Sequence, residues 1–400
     1  MSFNNRQLIV FFVITSVKNF VTSHYKFTFK SDKADKKYIT NHVNNKKISS
    51  KLSYFNFTLF SVQKKVRNIR ALKEDFCVLS ESFNIANLTI KNRLIAAPMA
   101  GISDLPFRSL CYQFGAGLAF SEMFLANSQI WNTEQSLQKM ASTEELGIKA
   151  VQIVGSDPDE MAKTAVLNVN QGAQLIDINM GCPAKKVNKK LAGSALLQYP
   201  ELVEAILLKV VQSVNVPVTL KIRTGWDKAH KNCINIAQIA EKCGIKAITI
   251  HGRTRACLFK GSAEYDSIKA VKEHVTIPVI ANGDITSPEK AEEVFQYTNA
   301  DAIMLGRATQ GRPWIFEDIA FYCKHGKLKP EKSIDEIKLI TIQHIKYLHQ
   351  FYGERKGLQI ARKHVFWYTK NCENSDHFRR LFSAIDDAEQ QIDALEAFFV

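Results

Sequence analysis

Cys182 stands in the stretch DINMGCPAKKV, residues 177–187, between an apolar run and a group of lysines. A thiol here could be a buried structural group, half of a disulfide, a metal ligand or a reactive group. The chain has eight cysteines but no C-x-x-C pair and no histidine at zinc-finger spacing, which disfavours a structural zinc site. A chain of 400 residues can build a core without disulfides, and scattered thiols suit a reducing compartment. We therefore predict a cytoplasmic protein in which Cys182 remains a candidate reactive group.

Lys221 is a charged residue inside the apolar run VPVTLKIRTG, residues 216–225. A buried charge is costly unless a ligand or counter-ion meets it. Such a lysine could form a Schiff base, stabilise the negative charge of a reduced flavin ring, or point outward between helices. The alternation of a strand places Lys221 and Arg223 on one face, away from Leu220 and Ile222. Two basic residues on one face near a strand end favour an inward position at the mouth of a barrel.

Eight short apolar runs recur from Leu94 onward, with stretches of helix length between them. Near-continuous apolar runs predict strands that are buried on both faces, as in a parallel sheet. Apolar residues recur at helical spacing in 158–171 and 288–299, and Ser287 and Pro288 are suited to begin the second of these helices. Eight β–α units over about 240 residues predict a (β/α)8 TIM barrel rather than an open doubly wound sheet. The predicted strands are 94–101, 118–123, 151–155, 175–181, 216–225, 247–253, 279–284 and 302–307.

The two ends of the chain differ from this regular middle. After about Lys329 the strand pattern stops, and 334–352, 356–370 and 376–398 have the spacing of helices. We predict a barrel over residues 83–328 and a small all-helical domain over 329–400. Residues 1–82 match neither pattern and are interpreted as a disordered extension, a start codon assigned too far upstream, or a targeting segment.

The net charge of +14 is distributed unevenly. Residues 1–82 contain 15 Lys or Arg and 5 Asp or Glu, so the remaining 318 residues carry only +4. A prediction of nucleic-acid binding must therefore rest on local clusters rather than on overall charge. The apolar run 8–17 is too short to span a bilayer, so no membrane association is predicted.

Polar residues and glycines follow the predicted strands at their carboxyl ends, where a TIM barrel carries its chemistry. Residues 282–284 and 306–307 end the last two strands as Asn-Gly-Asp and Gly-Arg. Glycines let backbone N–H groups approach an anion and the arginine adds charge, so we predict a phosphorylated ligand there. We found no His, Asp or Glu cluster with metal-ligand spacing, and no G-x-G-x-x-G motif for a dinucleotide. No bound metal is predicted.

The segment LIDINMGCPAKKVNKKLAGSALL resembles the signature of the tRNA-dihydrouridine synthase family. Further motifs are similar to the family's successive strand-end motifs and occur in the same order: APMAGISDLPFR, SEM, VQIVGSDP, KIRTGW, IHGRTR, ANGDI and LGRATQGRPWIF. The resemblance extends from about Phe83 to the C-terminus, and its details are similar to the bacterial B subgroup. Within the signature, the matching residues are Asn179, Gly181, Cys182, Pro183, Val187, Gly193 and Ser194.

The resemblance implies an FMN-dependent barrel followed by a helical RNA-binding domain. Such an enzyme reduces the 5,6 double bond of specific uridines in tRNA, with NADPH or NADH as a transient reductant. Hydride would pass from reduced FMN to C6, and Cys182 would donate a proton to C5 as a general acid. Similarity to the subgroup suggests a D-loop position, 17. Carried over by motif, the FMN-binding residues would be Pro98, Met99, Ala100, Gln152, Lys221, His251, Asn282, Gly283, Asp284, Gly306 and Arg307.

The expected partners are tRNA and NAD(P)H, with no obligatory protein partner. By resemblance, Asn179 and Arg223 would contact the uracil or its flanking backbone. Four lysines that follow Cys182, with Lys185 and Lys186 nearest, are interpreted as phosphate contacts rather than as a solvated loop. Aromatic residues 366–368 are interpreted as helix-packing core rather than as a base-stacking surface.

Three other functions compete with this interpretation. A dihydroorotate-type dehydrogenase would also be an FMN barrel, but the lysine cluster and the extra helical domain disfavour a free pyrimidine as substrate. A catalytically silent tRNA-binding or folding factor built on the barrel would lack flavin absorbance. A Schiff-base lyase would use Lys221 and would be trapped by borohydride.

Overall fold

A computed structural model describes residues 77–131 and 144–399 of the chain. Residues 1–76, which make up most of the predicted extension, lie outside this described part. The described part begins with a 3-10 helix, Cys77–Ser80, whose Leu79 is fully buried in the main core. Ordered packing in the described part therefore starts a few residues before the predicted barrel boundary at residue 83.

Parallel strands form a nine-stranded sheet that closes into a barrel. Closure occurs at the second strand position, where the chain forms two short strands: Leu118–Ala119 pairs with Leu94–Ala96, and Phe124–Leu125 pairs with Ala150–Val154. A further bridge joins Phe120 to Ala150 at the same place. The eight predicted strands and the (β/α)8 fold are thus confirmed. The strands are β1 Phe83–Ile85, β2 Leu88–Ile90, β3 Leu94–Ala96, β4 Leu118–Ala119, β5 Phe124–Leu125, β6 Ala150–Val154, β7 Leu175–Met180, β8 Val218–Arg223, β9 Ile248–His251, β10 Val279–Asn282 and β11 Ala302–Leu305.

Helices alternate with the strands, and several begin at side-chain caps, one of which, Ser287, the sequence predicts. Ser287 accepts the N–H of Lys290 at 3.2 Å, with Pro288 as the first helical residue. Asp104 and Asp157 cap two other helices in the same way. The helices are α1 Leu105–Gln113, α2 Pro158–Asn170, α3 Lys185–Asn188, α4 Pro200–Ser213, α5 Cys233–Lys242, α6 Asp266–Lys272, α7 Pro288–Thr298, α8 Ile315–His325, α9 Ile334–Tyr352, α10 Glu354–Tyr368, α11 Ser375–Ala384 and α12 Ala388–Phe398.

The barrel interior is apolar at its amino end and polar toward its carboxyl end. The antiparallel hairpin β1–β2 packs Ile85 and Ile90 against the inward side chains of the strands, including Ile95, Phe120 and Met304. This hairpin, which the sequence pattern did not indicate, excludes water from the amino end. Polar side chains line the barrel interior nearer the carboxyl ends of the strands. Because the amino end is closed by the hairpin, a ligand site can open only at the carboxyl end.

Four helices, α9–α12, follow the barrel, where the sequence pattern predicted three. The predicted segment 376–398 divides at Ile385, whose backbone is extended, and Asp387 caps the new helix by accepting the N–H of Gln390 at 2.8 Å. These helices share a core that includes Ile345, Val365 and Phe382. No helix within 77–131 or 144–399 is long and apolar enough to cross a membrane.

Candidate active site

A cavity of about 640 Å³ opens at the carboxyl ends of the barrel strands. It brings together every predicted site residue except Lys186, which is exposed beside it. The eleven residues predicted to hold FMN all line the cavity, although they come from six separate strand segments of the sequence. Asn179, Cys182, Lys185 and Arg223 also line it. The structure thus places the predicted cofactor and substrate residues around one site.

Cys182 is anchored through its backbone at the end of β7. Its N–H donates to the Oδ1 of Asn179 at 2.9 Å, and its carbonyl accepts the Oγ of Ser194 at 2.8 Å and the Nδ2 of Asn188 at 3.0 Å. Glycine is required at position 193, because the backbone is left-handed there and a Cβ would lie 2.8 Å from the Cys182 carbonyl oxygen. These bonds fix where the thiol can point.

The thiol of Cys182 is partly exposed in the cavity wall. Burial raises its pKa above the ordinary value, although Arg223 acts in the opposite direction. The group is therefore a protonated thiol at neutral pH. It suits a proton donor better than a nucleophile, which would need a lowered pKa.

The segment from Cys182 to Ser194 is a loop whose two ends meet at the Cys182 carbonyl. It contains the short helix α3, and its lysines at 185, 186, 189 and 190 are exposed. Arg255 braces the loop from the outside by donating from Nε to the Oδ1 of Asn188 at 3.0 Å. The loop therefore presents a basic surface at a fixed place next to the thiol.

Lys221 is largely enclosed in the cavity wall and donates from Nζ to the Oδ1 of Asn282 at 3.0 Å. Asn282 in turn donates to the carbonyl of Met304 at 2.7 Å, which fixes its orientation. Burial lowers the pKa of Lys221 to about 8, while Asp177 opposes this shift. A partly desolvated ammonium is strongly attracted to any anion that enters the cavity.

Asp284 joins two arginines at the other side of the cavity. Its carboxylate contacts Arg253 at 2.5 Å and Arg307 at 3.0 Å, and Arg253 also lies 3.3 Å from the Nε2 of His251. Burial acts to raise the pKa of Asp284, but hydrogen bonds from Arg253 and the two positive charges hold it below the usual value. Burial and the nearby cations lower the pKa of His251 to about 2, so its imidazole is neutral.

Arg253 is a site residue that the sequence analysis missed. It is 3% exposed, and its guanidinium donates to the carbonyl of Gly261 and to Asp284. The motif IHGRTR contains it, and its spacing of two residues from His251 could have indicated a shared face. Asp284 is shared by Arg253 and Arg307, so the three side chains together keep one net positive charge, and Arg307 is the more exposed of the two arginines.

Asn179 and Arg223 are both held by internal hydrogen bonds. The guanidinium of Arg223 donates to the carbonyls of Gly181, Thr254 and Leu258 at 2.9, 3.0 and 2.7 Å. The side chain is only 2% exposed. Its position beside the cavity is therefore rigid, and it orders the chain on either side of the opening.

The residues present fit a flavin mononucleotide. The closed barrel, the buried Lys221, the arginine at a glycine-rich strand end and the protonated thiol are the features expected of a flavin-dependent barrel oxidoreductase. A Cβ at Gly306 would have its nearest neighbour at 3.7 Å, so the backbone there is open to an approaching group. Within the described ranges, no group of three or more His, Cys, Asp or Glu could hold a metal ion.

The model of the dihydrouridine synthase (Dus) family matches residues 94–400, and the chain belongs to that family. It is 61% identical over 315 residues to the tRNA-dihydrouridine synthase B of Salmonella typhimurium, a match that covers 79% of this chain and 98% of the relative. The enzymes of the same name from Escherichia coli K12 and Klebsiella pneumoniae match with the same identity and coverage. The chain is accordingly a flavin-using oxidoreductase.

Proposed function

We propose that this protein reduces the 5,6 double bond of specific uridines in tRNA to 5,6-dihydrouridine. The observation that carries the proposal is that Cys182, a protonated thiol, lines the same cavity as Lys221 and Arg307. A proton donor and an anion-holding wall are the two protein parts that this reduction needs. The tRNA substrate is also the one that the names of the relatives state.

FMN would be held by the eleven residues predicted from the sequence. Lys221 would contact the ring and stabilise negative charge on it, and Gln152 would contact it through its amide. Pro98, Met99 and Ala100 would line one face, and His251, Asn282, Gly283, Asp284, Gly306 and Arg307 would surround the phosphate end. When bound and reduced by NADPH or NADH, FMN supplies the hydride that C6 of the uracil accepts.

Cys182 would donate the proton that C5 of the uracil must gain. Its raised pKa keeps the thiol protonated until the substrate arrives. The positive charge of Arg223 lies near enough to favour the thiolate that remains after transfer. Burial and Arg223 thus act in opposite directions on the pKa of the proposed proton donor.

Recognition of tRNA would combine two regions. The exposed lysines of the loop 182–194, Lys185 and Lys186 first, would contact phosphates near the reacting base. Residues 329–400 would form a tRNA-binding domain beside the FMN-binding barrel of residues 83–328. Asn179 and Arg223 would face the uracil from side chains whose positions are already fixed. The target base must leave its stack to reach the cavity.

The target is proposed to be a D-loop uridine, position 17, on the basis of similarity to the B subgroup. Because tRNA is a cytoplasmic substrate in bacteria, we propose that the enzyme acts there. Dihydrouridine mapping in tRNA from cells that lack the gene checks the position. Unchanged dihydrouridine at every position would contradict the proposal, and loss at another position would correct the assignment.

The direct test of the chemistry is Cys182→Ala in a single-turnover assay with pre-reduced enzyme and unmodified tRNA. We expect roughly a hundredfold loss or more in rate, typical of a missing general acid, with FMN and tRNA binding retained. Cys372→Ala, at a partly buried thiol between α10 and α11, is the matched control and should keep the wild-type rate. A Cys182→Ala rate near that of the wild type would overturn the role of the thiol.

A further inference from the structure

A continuous row of hydrogen bonds leads from the barrel interior to the backbone of Cys182. Thr219 donates to the Oδ1 of Asp177 at 2.7 Å, and the Nε2 of Gln152 donates to the Oδ2 of Asp177 at 2.7 Å. The Nδ2 of Asn179 donates to the Oε1 of Gln152 at 2.7 Å, and the Oδ1 of Asn179 accepts the N–H of Cys182 at 2.9 Å. All three bonds between side chains are short.

The register of three neighbouring strands builds this row. Gln152 on β6, Asp177 on β7 and Thr219 on β8 are direct partners in the parallel ladder, so their side chains meet at one level of the barrel. Asn179 follows Asp177 by two residues and therefore lies one level nearer to the cavity on the same face. These residues are 1–8% exposed, so bulk water does not compete for their hydrogen bonds.

The polarity of the row is determined at Asp177. An ionised carboxylate can only accept hydrogen bonds, so the end of Gln152 that faces it must be the NH₂ group. The carbonyl of Gln152 then faces Asn179, whose NH₂ group must face it in return. This leaves the carbonyl of Asn179 for Cys182, whose backbone N–H can only donate. Asp177 at one end of the row and the Cys182 N–H at the other thus require the same orientations of the Gln152 and Asn179 amides.

We propose that Asp177 is a positioning residue for Cys182, acting through Gln152 and Asn179. If the carboxylate is lost, only the N–H groups of Gly181 and Cys182 still orient the two amides, so Gln152 and Asn179 can flip at a lower cost than in the wild type. An NH₂ group opposite the Cys182 N–H would repel it and release the start of the loop 182–194. The proposal rests on the proposed role of Cys182 as the proton donor.

The inference can be measured without turnover, by the rate at which iodoacetamide alkylates Cys182 in the FMN-free full-length protein. Mass spectrometry of the Cys182 peptide separates this thiol from the other seven. In Asp177→Leu we expect the rate to rise roughly three- to tenfold, as for the loss of one hydrogen bond that holds the loop. Gln152→Leu breaks the row at its next member and should give the same rise.

Asp177→Asn is the conservative variant and should restore the slow rate. Its carbonyl can still accept from Gln152, because the Thr219 hydroxyl can accept from its NH₂ group. Asp318→Leu is the matched control for loss of a buried carboxylate: Asp318 lies on α8, pairs with Arg312 and does not line the cavity. It should leave the alkylation of Cys182 unchanged.

Single-turnover rates of the FMN-loaded enzyme complete the test. Asp177→Leu should lower the rate roughly tenfold or more, because misplacement of a catalytic group is costly. In a Cys182→Ala background the same substitution should lower it no further. Wild-type alkylation in Asp177→Leu overturns the inference, and where that variant does not fold, Gln152→Leu decides in its place. Retained activity in Cys182→Ala would instead overturn the proposed function, while the alkylation rates would still report on the row.

Discussion

The ammonium group of Lys363, on helix α10, donates a hydrogen bond to the backbone carbonyl of Gly101. Gly101 belongs to the loop after β3, whose neighbouring residues Pro98, Met99 and Ala100 line the cavity. The N–H of Gly101 is held from the other side by Glu122, at 2.6 Å. A residue of the C-terminal helices thus helps to shape the wall of the proposed flavin site.

Lys363→Met should therefore weaken FMN binding although Lys363 is absent from the cavity lining. We expect the dissociation constant, followed by flavin fluorescence, to rise roughly three- to tenfold, the effect of one charge-assisted hydrogen bond. Lys370→Met removes an exposed lysine just beyond the same helix and should leave the constant unchanged. Equal constants for both variants and the wild type would show that the loop holds its shape without α10.

Lys221→Met should weaken FMN binding more than Lys363→Met does. The substitution removes the buried ammonium group that donates to Asn282, so the dissociation constant should rise roughly tenfold or more. Flavin absorbance after desalting measures it, with the exposed Lys246→Met as the control. Lys221→Met protein that stays fully yellow would contradict the proposed contact to the ring.

Asp177 should make the folded protein less stable as the pH rises from about 4 to about 6. Burial raises its pKa to about 6 from 3.8, so the unfolded chain loses this proton first and the folded state binds more protons in that window. Above about pH 6 the carboxyl is ionised in both the folded and the unfolded chain, so its contribution to the unfolding free energy no longer changes with pH. Urea unfolding of wild type and Asp177→Asn should show the difference in unfolding free energy change by about 3 kcal/mol across the window. Parallel pH profiles would contradict the raised pKa.

His344 and His364 should make the C-terminal helices sensitive to acid. The ring centroids of the two histidines lie 4.5 Å apart, and Phe107, Tyr368 and Lys363 are their neighbours. Burial lowers the pKa of His344 to about 3 and that of His364 well below its usual range. The unfolded chain therefore binds more protons below about pH 6.5, and stability is lost as the pH falls below that value.

The matched variants are His364→Phe and His377→Phe, since His377 is exposed on α11. His364→Phe should reduce the slope of unfolding free energy against pH by about 1.4 kcal/mol per pH unit between pH 6 and 4. His377→Phe should keep the wild-type slope. Identical slopes in all three proteins would place the acid sensitivity elsewhere in the chain.

The barrel and the residues around its cavity could be predicted because their signals are local in sequence. Each strand has its own apolar run, and each strand end carries its own polar motif, so Cys182, Lys221 and Arg307 could be placed at one mouth without knowledge of contacts. The division at Ile385 could not, because the apolar spacing continues through it and only the cap at Asp387 marks a new start.

Hydrogen-bond partners were the part that the sequence could not supply. Asp177 appeared only as a member of a motif, since its contacts to Gln152 and Thr219 depend on the register between strands that are distant in sequence. Arg253 was missed for the same reason: its partner Asp284 lies 31 residues further along. Asn179 and Arg223 were placed correctly beside the cavity, but their internal partners could be known only from the fold.

Both ends of the loop from Cys182 to Ser194 are held at one backbone carbonyl, that of Cys182. The four lysines can consequently change in sequence without removing an anchor of the thiol, because the anchoring groups belong to Asn188, Gly193 and Ser194. Evolution could alter the proposed RNA-binding surface by exchanging these lysines while the proposed proton donor stays in place. An engineer could use the same boundary, grafting a tip from a relative with another target onto this barrel.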